Sequence, residues 1–238
     1  MEYSTGSERI DHLLGRAISN GIITDLYGEN GSGKSQLCFS ICANLLKNTR
    51  EKIIFIDTAG TFRPERIEEI INERNRQILD RINYIRVLSI FAQFNSIEKI
   101  KIIKPKLVIV DTATSIISSR SQGAARHLIL MKFLHKLAHY ALRYNCAVII
   151  TNSIRDEILH GETHLPKIKM KDQQFLKTEF QKEFMDKSIS ISTHIKLRFD
   201  IINAEKNIYK ISFIQPLMKR DIFFTINKTG ISDLKENV

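Results

Sequence analysis

No apolar run in this chain of 238 residues approaches the ~20 residues that a helix needs to cross a bilayer. The opening stretch, Met1-Glu2-Tyr3-Ser4-Thr5-Gly6-Ser7-Glu8, has neither a basic start nor an apolar core, so it does not read as a secretory signal. Cysteine is scarce, with three in the chain. Cys38 and Cys42 lie one helical turn apart and Cys146 opens an apolar strand, so all three read as small core residues, not bridges or metal ligands. Proline is limited to four; Pro64 suits the first turn of a helix, and Pro105 stands just before a strand. No internal repeat, low-complexity tract or linker divides the chain, and a single domain over residues 1–238 is expected. With 43% hydrophobic and 26% charged residues, the composition is that of a soluble globular protein, and the lack of a signal together with the cysteine usage leads to the expectation that it stays inside the cell.

Acidic residues are missing from one fifth of the chain. Residues 101–150 carry eight Lys and Arg against one acid, or +7 of a net +10. The other blocks of fifty lie between 0 and +2. A concentrated basic stretch is the footprint of a polyanion partner; a lysine-rich solvated surface is the alternative.

Short apolar runs alternate with longer amphipathic stretches, the pattern of a parallel sheet with crossover helices. Strands are predicted over 21–27, 52–57, 83–87, 106–111 and 146–151, and helices over 33–46, 64–79, 96–103 and 124–144. The last third alternates as antiparallel strands do, over 188–199, 207–214 and 222–226. Residues 117–123 read as a polar loop, and 153–187 is far longer than the usual connection of ~4–6 residues. Within it, 173–185 has the Phe180 and Phe184 spacing of a short amphipathic helix, with Phe175 nearby.

The positive features begin at Gly28-Glu29-Asn30-Gly31-Ser32-Gly33-Lys34-Ser35, between a buried strand and a helix. Three glycines let successive backbone N–H groups turn inward on a phosphate, and the helix start adds its own unpaired N–H groups and positive dipole end. Lys34 would reach the β- and γ-phosphates, and the Ser35 hydroxyl would ligate Mg²⁺. Lys106-Leu107-Val108-Ile109-Val110-Asp111 is an apolar strand ending in a carboxylate that can hold the same Mg²⁺.

Several segments, in order along nearly the whole chain, resemble the RecA/RadA recombinase superfamily, most of all RadB-like proteins and recombinase paralogs. They are Ser4 to Gly15, Gly28 to Gln36, Ile56-Asp57-Thr58-Ala59-Gly60-Thr61-Phe62-Arg63-Pro64-Glu65-Arg66, Val110 to Thr114, Ile149-Ile150-Thr151-Asn152-Ser153, Ser192 to Leu197, and Phe224 to Ile231. The resemblance implies an α/β fold, a RecA-like P-loop NTPase core with a mainly parallel twisted sheet flanked by helices and C-terminal antiparallel strands. It implies ATP and Mg²⁺ at Gly28–Gln36 and Asp111, with Arg66 against the adenine. The loop after Asp111, about 117–126 with Arg120 and Arg126, and the loop after Asn152, with Arg155, would line DNA, single-stranded DNA among its forms. Partners by the same resemblance are recombinase or other repair proteins, in a dimer or hetero-oligomer, with no membrane. The implied place is the cytoplasm at the nucleoid, or the nucleus of a eukaryote.

Two positions depart from that pattern. Ala59 stands where active relatives carry the glutamate that activates the attacking water, and Ser153 stands where they carry a longer glutamine. Glu29 and Asp57 do not read as replacements, because relatives that have the glutamate carry acids there too; Glu65, at the start of the next helix, stays open as an unsupported stand-in. Weak or absent hydrolysis is expected, with no catalytic residue assigned. The stretch ahead of the first strand leaves no room for an N-terminal helical DNA-binding domain, which points to an accessory or mediator role. A P-loop regulatory module acting through protein partners without DNA is the alternative, and a small-molecule kinase a weaker third. His135 with His139, and His160-Gly161-Glu162-Thr163-His164, are set aside as metal sites for want of a third ligand or a correctly placed glutamate.

Overall fold

The computed structural model describes residues 3–14, 18–72, 76–156, 181–216 and 221–234. The strands are β1 (Ile23–Gly28), β2 (Ile53–Asp57), β3 (Ile82–Arg86), β4 (Leu107–Asp111), β5 (Ala147–Asp156), β6 (Gln181–Glu183), β7 (Ile195–Asn203), β8 (Ile208–Gln215), β9 (Asp221–Asn227) and β10 (Gly230–Asp233). They form one sheet in the order β10-β9-β8-β7-β1-β5-β4-β2-β3, with β6 pairing beside β5. From β7 to β3 every neighbouring pair is parallel, and β7 to β10 are antiparallel.

The central runs Ile53–Ile56, Leu107–Val110 and Ala147–Ile150 are apolar at every position because both faces of the sheet are covered there. Ile53, Phe55, Leu107, Ile109 and Ile149 point to one face and pack with α1 (Glu8–Leu14), α2 (Lys34–Asn48) and α3 (Pro64–Ile71). Ile54, Ile56, Val108, Val110 and Ile150 point to the other and pack against α4 (Ile90–Ile103), α5 (Ser115–Arg120), α6 (Gly123–Arg143) and α7 (Asp186–Ser190). All three cysteines are buried and free. No helix among the described residues is long and apolar enough to cross a membrane.

Five local expectations change. Residues 117–123 are not a polar loop: Ser115–Arg120 is helical, with Ile117 in the core. The helix accommodates its serines because the Ser118 and Ser119 hydroxyls donate to the carbonyls of Ser115 and Ile116, three residues back, so that neither hydroxyl is left unpaired. The helix predicted over 64–79 stops at Ile71, where Asn72 turns left-handed at φ 54°, and a separate 3-10 turn covers Arg76–Arg81. The helix predicted from 96 starts at Ile90, capped by the Ser89 hydroxyl on the Ala92 N–H. The strand predicted from 188 begins at Ile195, after α7. Where a helix is predicted over 173–185, Gln181–Glu183 is strand β6; Phe175, Phe180 and the His160–His164 stretch lie outside the described residues.

The basic block does not form one patch. Lys104 caps the end of α4, Lys106 precedes β4 and Arg143 closes α6, all at the start of the parallel strands. Arg120 and Arg126 lie at the other end, where those strands finish. Lys136 is paired with Glu98 at 2.6 Å.

Candidate nucleotide and nucleic-acid site

Strands β1, β2 and β4 end at Gly28, Asp57 and Asp111 along one edge of the sheet, the usual place for a ligand in an α/β fold. Gly28 has no room for a side chain: a Cβ there would stand 2.1 Å from the carbonyl oxygen of Phe199 on β7. The loop closes at Gly33, left-handed at φ 97°, and α2 starts without a side-chain cap. Its first N–H groups are therefore open to an anion.

Lys34 folds back over this loop. It is 8% exposed, and its ammonium donates to the carbonyls of Gly28 at 3.0 Å and Glu29 at 2.6 Å. Burial lowers its pKa to about 8, against the opposing pull of the Asp111 carboxylate. Both oxygens of buried Asp111 are used. Oδ2 accepts the hydroxyls of Ser35 at 2.7 Å and Thr61 at 2.9 Å, and Oδ1 accepts that of Thr151. Thr61 and Thr151 stand within the segments of resemblance, but the sequence assigned neither of them a role at Asp111. These oxygens are the kind of donor set a hard divalent cation takes, and the open helix start with a retracted ammonium suits a phosphate chain.

Asp57 organises the loop that follows β2. Its Oδ1 accepts the N–H groups of Ala59, Gly60 and Thr61 at 3.0, 2.6 and 3.2 Å. Its Oδ2 accepts the Phe62 N–H at 3.3 Å and the Tyr84 hydroxyl at 3.2 Å. Ala59 is exposed on this loop, and Glu65 is exposed on α3. Arg66 is partly exposed but tied in place: its Nε donates to the Gln36 side chain at 3.0 Å, and its terminal nitrogens reach Glu69 and the carbonyls of Asn227 and Lys228. It thereby ties α2 and α3 to the β9–β10 turn.

On the other side, Ser153 is the register partner of Gly28 in β5, and its carbonyl accepts the Phe184 N–H at 3.0 Å. Buried Asn152 accepts the Thr114 hydroxyl at 2.6 Å and donates to Glu183 at 2.8 Å and to the Phe184 carbonyl at 2.7 Å. Glu183 and Asp186 both hold the buried Lys196 ammonium. Arg126 and Arg155 converge on the Phe184 ring, their guanidinium carbons 5.7 and 3.7 Å from its centroid. Arg120 closes α5 and is exposed.

The Rad51 family model matches residues 1–234 of the chain. The DNA repair and recombination protein RadA of Ignicoccus hospitalis is 36% identical over 182 residues, 67% of this chain and 56% of that protein. RadA of Aeropyrum pernix is 35% identical over 177 residues, with the same shares of 67% and 56%. RadA of Metallosphaera sedula is 28% identical over 259 aligned positions, 98% of this chain and 72% of that protein. The chain thus spans a little over half the length of the first two relatives, 56%. It belongs to the Rad51 family.

Proposed function

We propose that this Rad51-family chain binds ATP with Mg²⁺, hydrolyses it slowly, and serves as a DNA-binding accessory protein in homologous recombination and repair. Lys34 and the open N–H groups of α2 would receive the phosphates, and Ser35 and Asp111 would hold the cation. Bound there, Mg²⁺ would neutralise charge on the phosphate oxygens. Gln36 and Arg66 stand beside the loop on the side where α3 meets it, and Arg66 is the candidate for the adenine. Arg120, Arg126 and Arg155 are the candidate DNA contacts. A recombinase or another repair protein is the proposed partner, in a dimer or hetero-oligomer.

The observation that carries slow hydrolysis is the pairing of Ala59 with Asp57. A methyl group occupies the position of the base, and the adjacent carboxylate is spent on four backbone N–H groups. General-base assistance is worth ~10²–10⁴-fold, so its loss leaves binding intact and turnover low. A steady-state ATPase assay on wild type and Lys34→Ala tests this. Wild-type turnover at the Lys34→Ala background supports the reading; turnover equal to that of an active recombinase, abolished by Lys34→Ala, refutes it.

A further inference from the structure

We propose that Phe184 is the positioning residue of the nucleic-acid surface, its ring holding Arg126 and Arg155 together as a grip for the phosphodiester backbone. This rests on the DNA-binding reading above and names the chemistry of its target: phosphates, independent of base sequence.

Arg126 comes from the first turn of α6 and Arg155 from β5. Two cations brought together from separate elements repel. The ring offsets that repulsion, because the negative face of its quadrupole attracts a guanidinium. Arg126 is fixed further by its Nε, which donates to the Ser121 carbonyl at 2.9 Å. Among the described residues neither arginine has a carboxylate partner. A guanidinium lying on a ring keeps its edge N–H groups available, and that edge matches two phosphate oxygens.

The ring itself is fixed from behind. Phe184 is 8% exposed, and its backbone is hydrogen-bonded on both sides, to Ser153 and to Asn152. Its neighbour Glu183 is locked between Asn152 and Lys196. Such a rigid base holds the side chains above it in one geometry. An ordinary core ring would need only its volume, whereas this role needs the π face.

The 238-residue wild type, Phe184→Leu, Phe184→Met and Phe184→Tyr, each checked by thermal melting, would be titrated into a dye-labelled oligo(dT) over a series of salt concentrations. Leu and Met preserve volume without a π face. The expected result is binding about 5- to 10-fold weaker for both, with Tyr close to wild type. The log–log salt slope should shrink by roughly 0.7 for each phosphate that is no longer neutralised. The Arg126→Gln/Arg155→Gln variant should show the same reduction in slope, and adding Phe184→Met to it should cost nothing more. Wild-type affinity and slope in Phe184→Leu or Phe184→Met overturn the inference, as does a Tyr variant as weak as Leu. A wild type indifferent to DNA at low salt overturns the DNA-binding reading itself, a failure distinct from the others.

Discussion

The carboxylate of Asp57 accepts the backbone N–H of Ala59 at 3.0 Å, and the same oxygen takes those of Gly60 and Thr61. The loop is therefore shaped by its backbone and by Asp57, with no demand on the side chain at 59. That residue is exposed, so a larger side chain there would not displace these bonds.

Ala59→Glu is accordingly expected to fold as wild type does and to raise turnover at saturating ATP by about 10²-fold or more. Phosphate release measured on the single variant and on Ala59→Glu/Lys34→Ala checks this, because the added Lys34→Ala change should remove the gain.

Affinity for MgATP should fall in alkaline solution. The Lys34 ammonium has its pKa lowered to about 8 by burial, and a phosphate beside it would restore the charged form. Below that pH the free protein is already charged. Above it, binding must take up a proton, so affinity drops about tenfold per pH unit. Calorimetric titrations at pH 7 and pH 9 should differ in this direction, and equal affinities would count against Lys34 as the phosphate ligand.

Asp25 makes stability depend on pH in the opposite sense from an ordinary salt-bridged carboxylate. It is fully buried, 4.0 Å from the Lys196 ammonium, and neither oxygen has a hydrogen-bond donor among the described residues. Burial, then the neighbouring Glu183 charge, raises its pKa well above the usual carboxylate range. A raised folded-state pKa gives stability that is present below the unfolded value of ~4 and lost as pH rises through the folded one. Urea unfolding of Asp25→Asn at pH 4 and pH 8 should show the variant gaining on wild type at the higher pH; parallel losses would contradict this.

Gly28→Ala should lower stability by about 3 kcal/mol, since the added methyl would stand 2.1 Å from the Phe199 carbonyl oxygen and backbone has little room to yield. Chemical denaturation measures this, and a loss under about 0.5 kcal/mol would mean that β1 and β7 are packed less tightly.

What was legible in the chain was whatever is local. The Gly28–Ser35 loop and the Asp-ended strand β4 each lie within a few consecutive residues, and their chemistry follows from residue type. Thr61 and Thr151 were hidden because they meet Asp111 only through the registers of β2, β4 and β5, and parallel register is not written in any one strand. Helix α5 was hidden by its serines, which look like a loop until their hydroxyls are seen bonded to their own helix. The convergence of Arg126 and Arg155 on Phe184 depends on three elements meeting. Where the cations of the +7 block lie was not legible either, since the crossover helices carry residues adjacent in sequence to both ends of the parallel strands.

The most direct measurement is isothermal titration of MgATP into wild type and Lys34→Ala at neutral pH. One site per chain in wild type and none in Lys34→Ala is the predicted result. No heat of binding in wild type at millimolar MgATP, or equal affinity in the two proteins, would contradict the account.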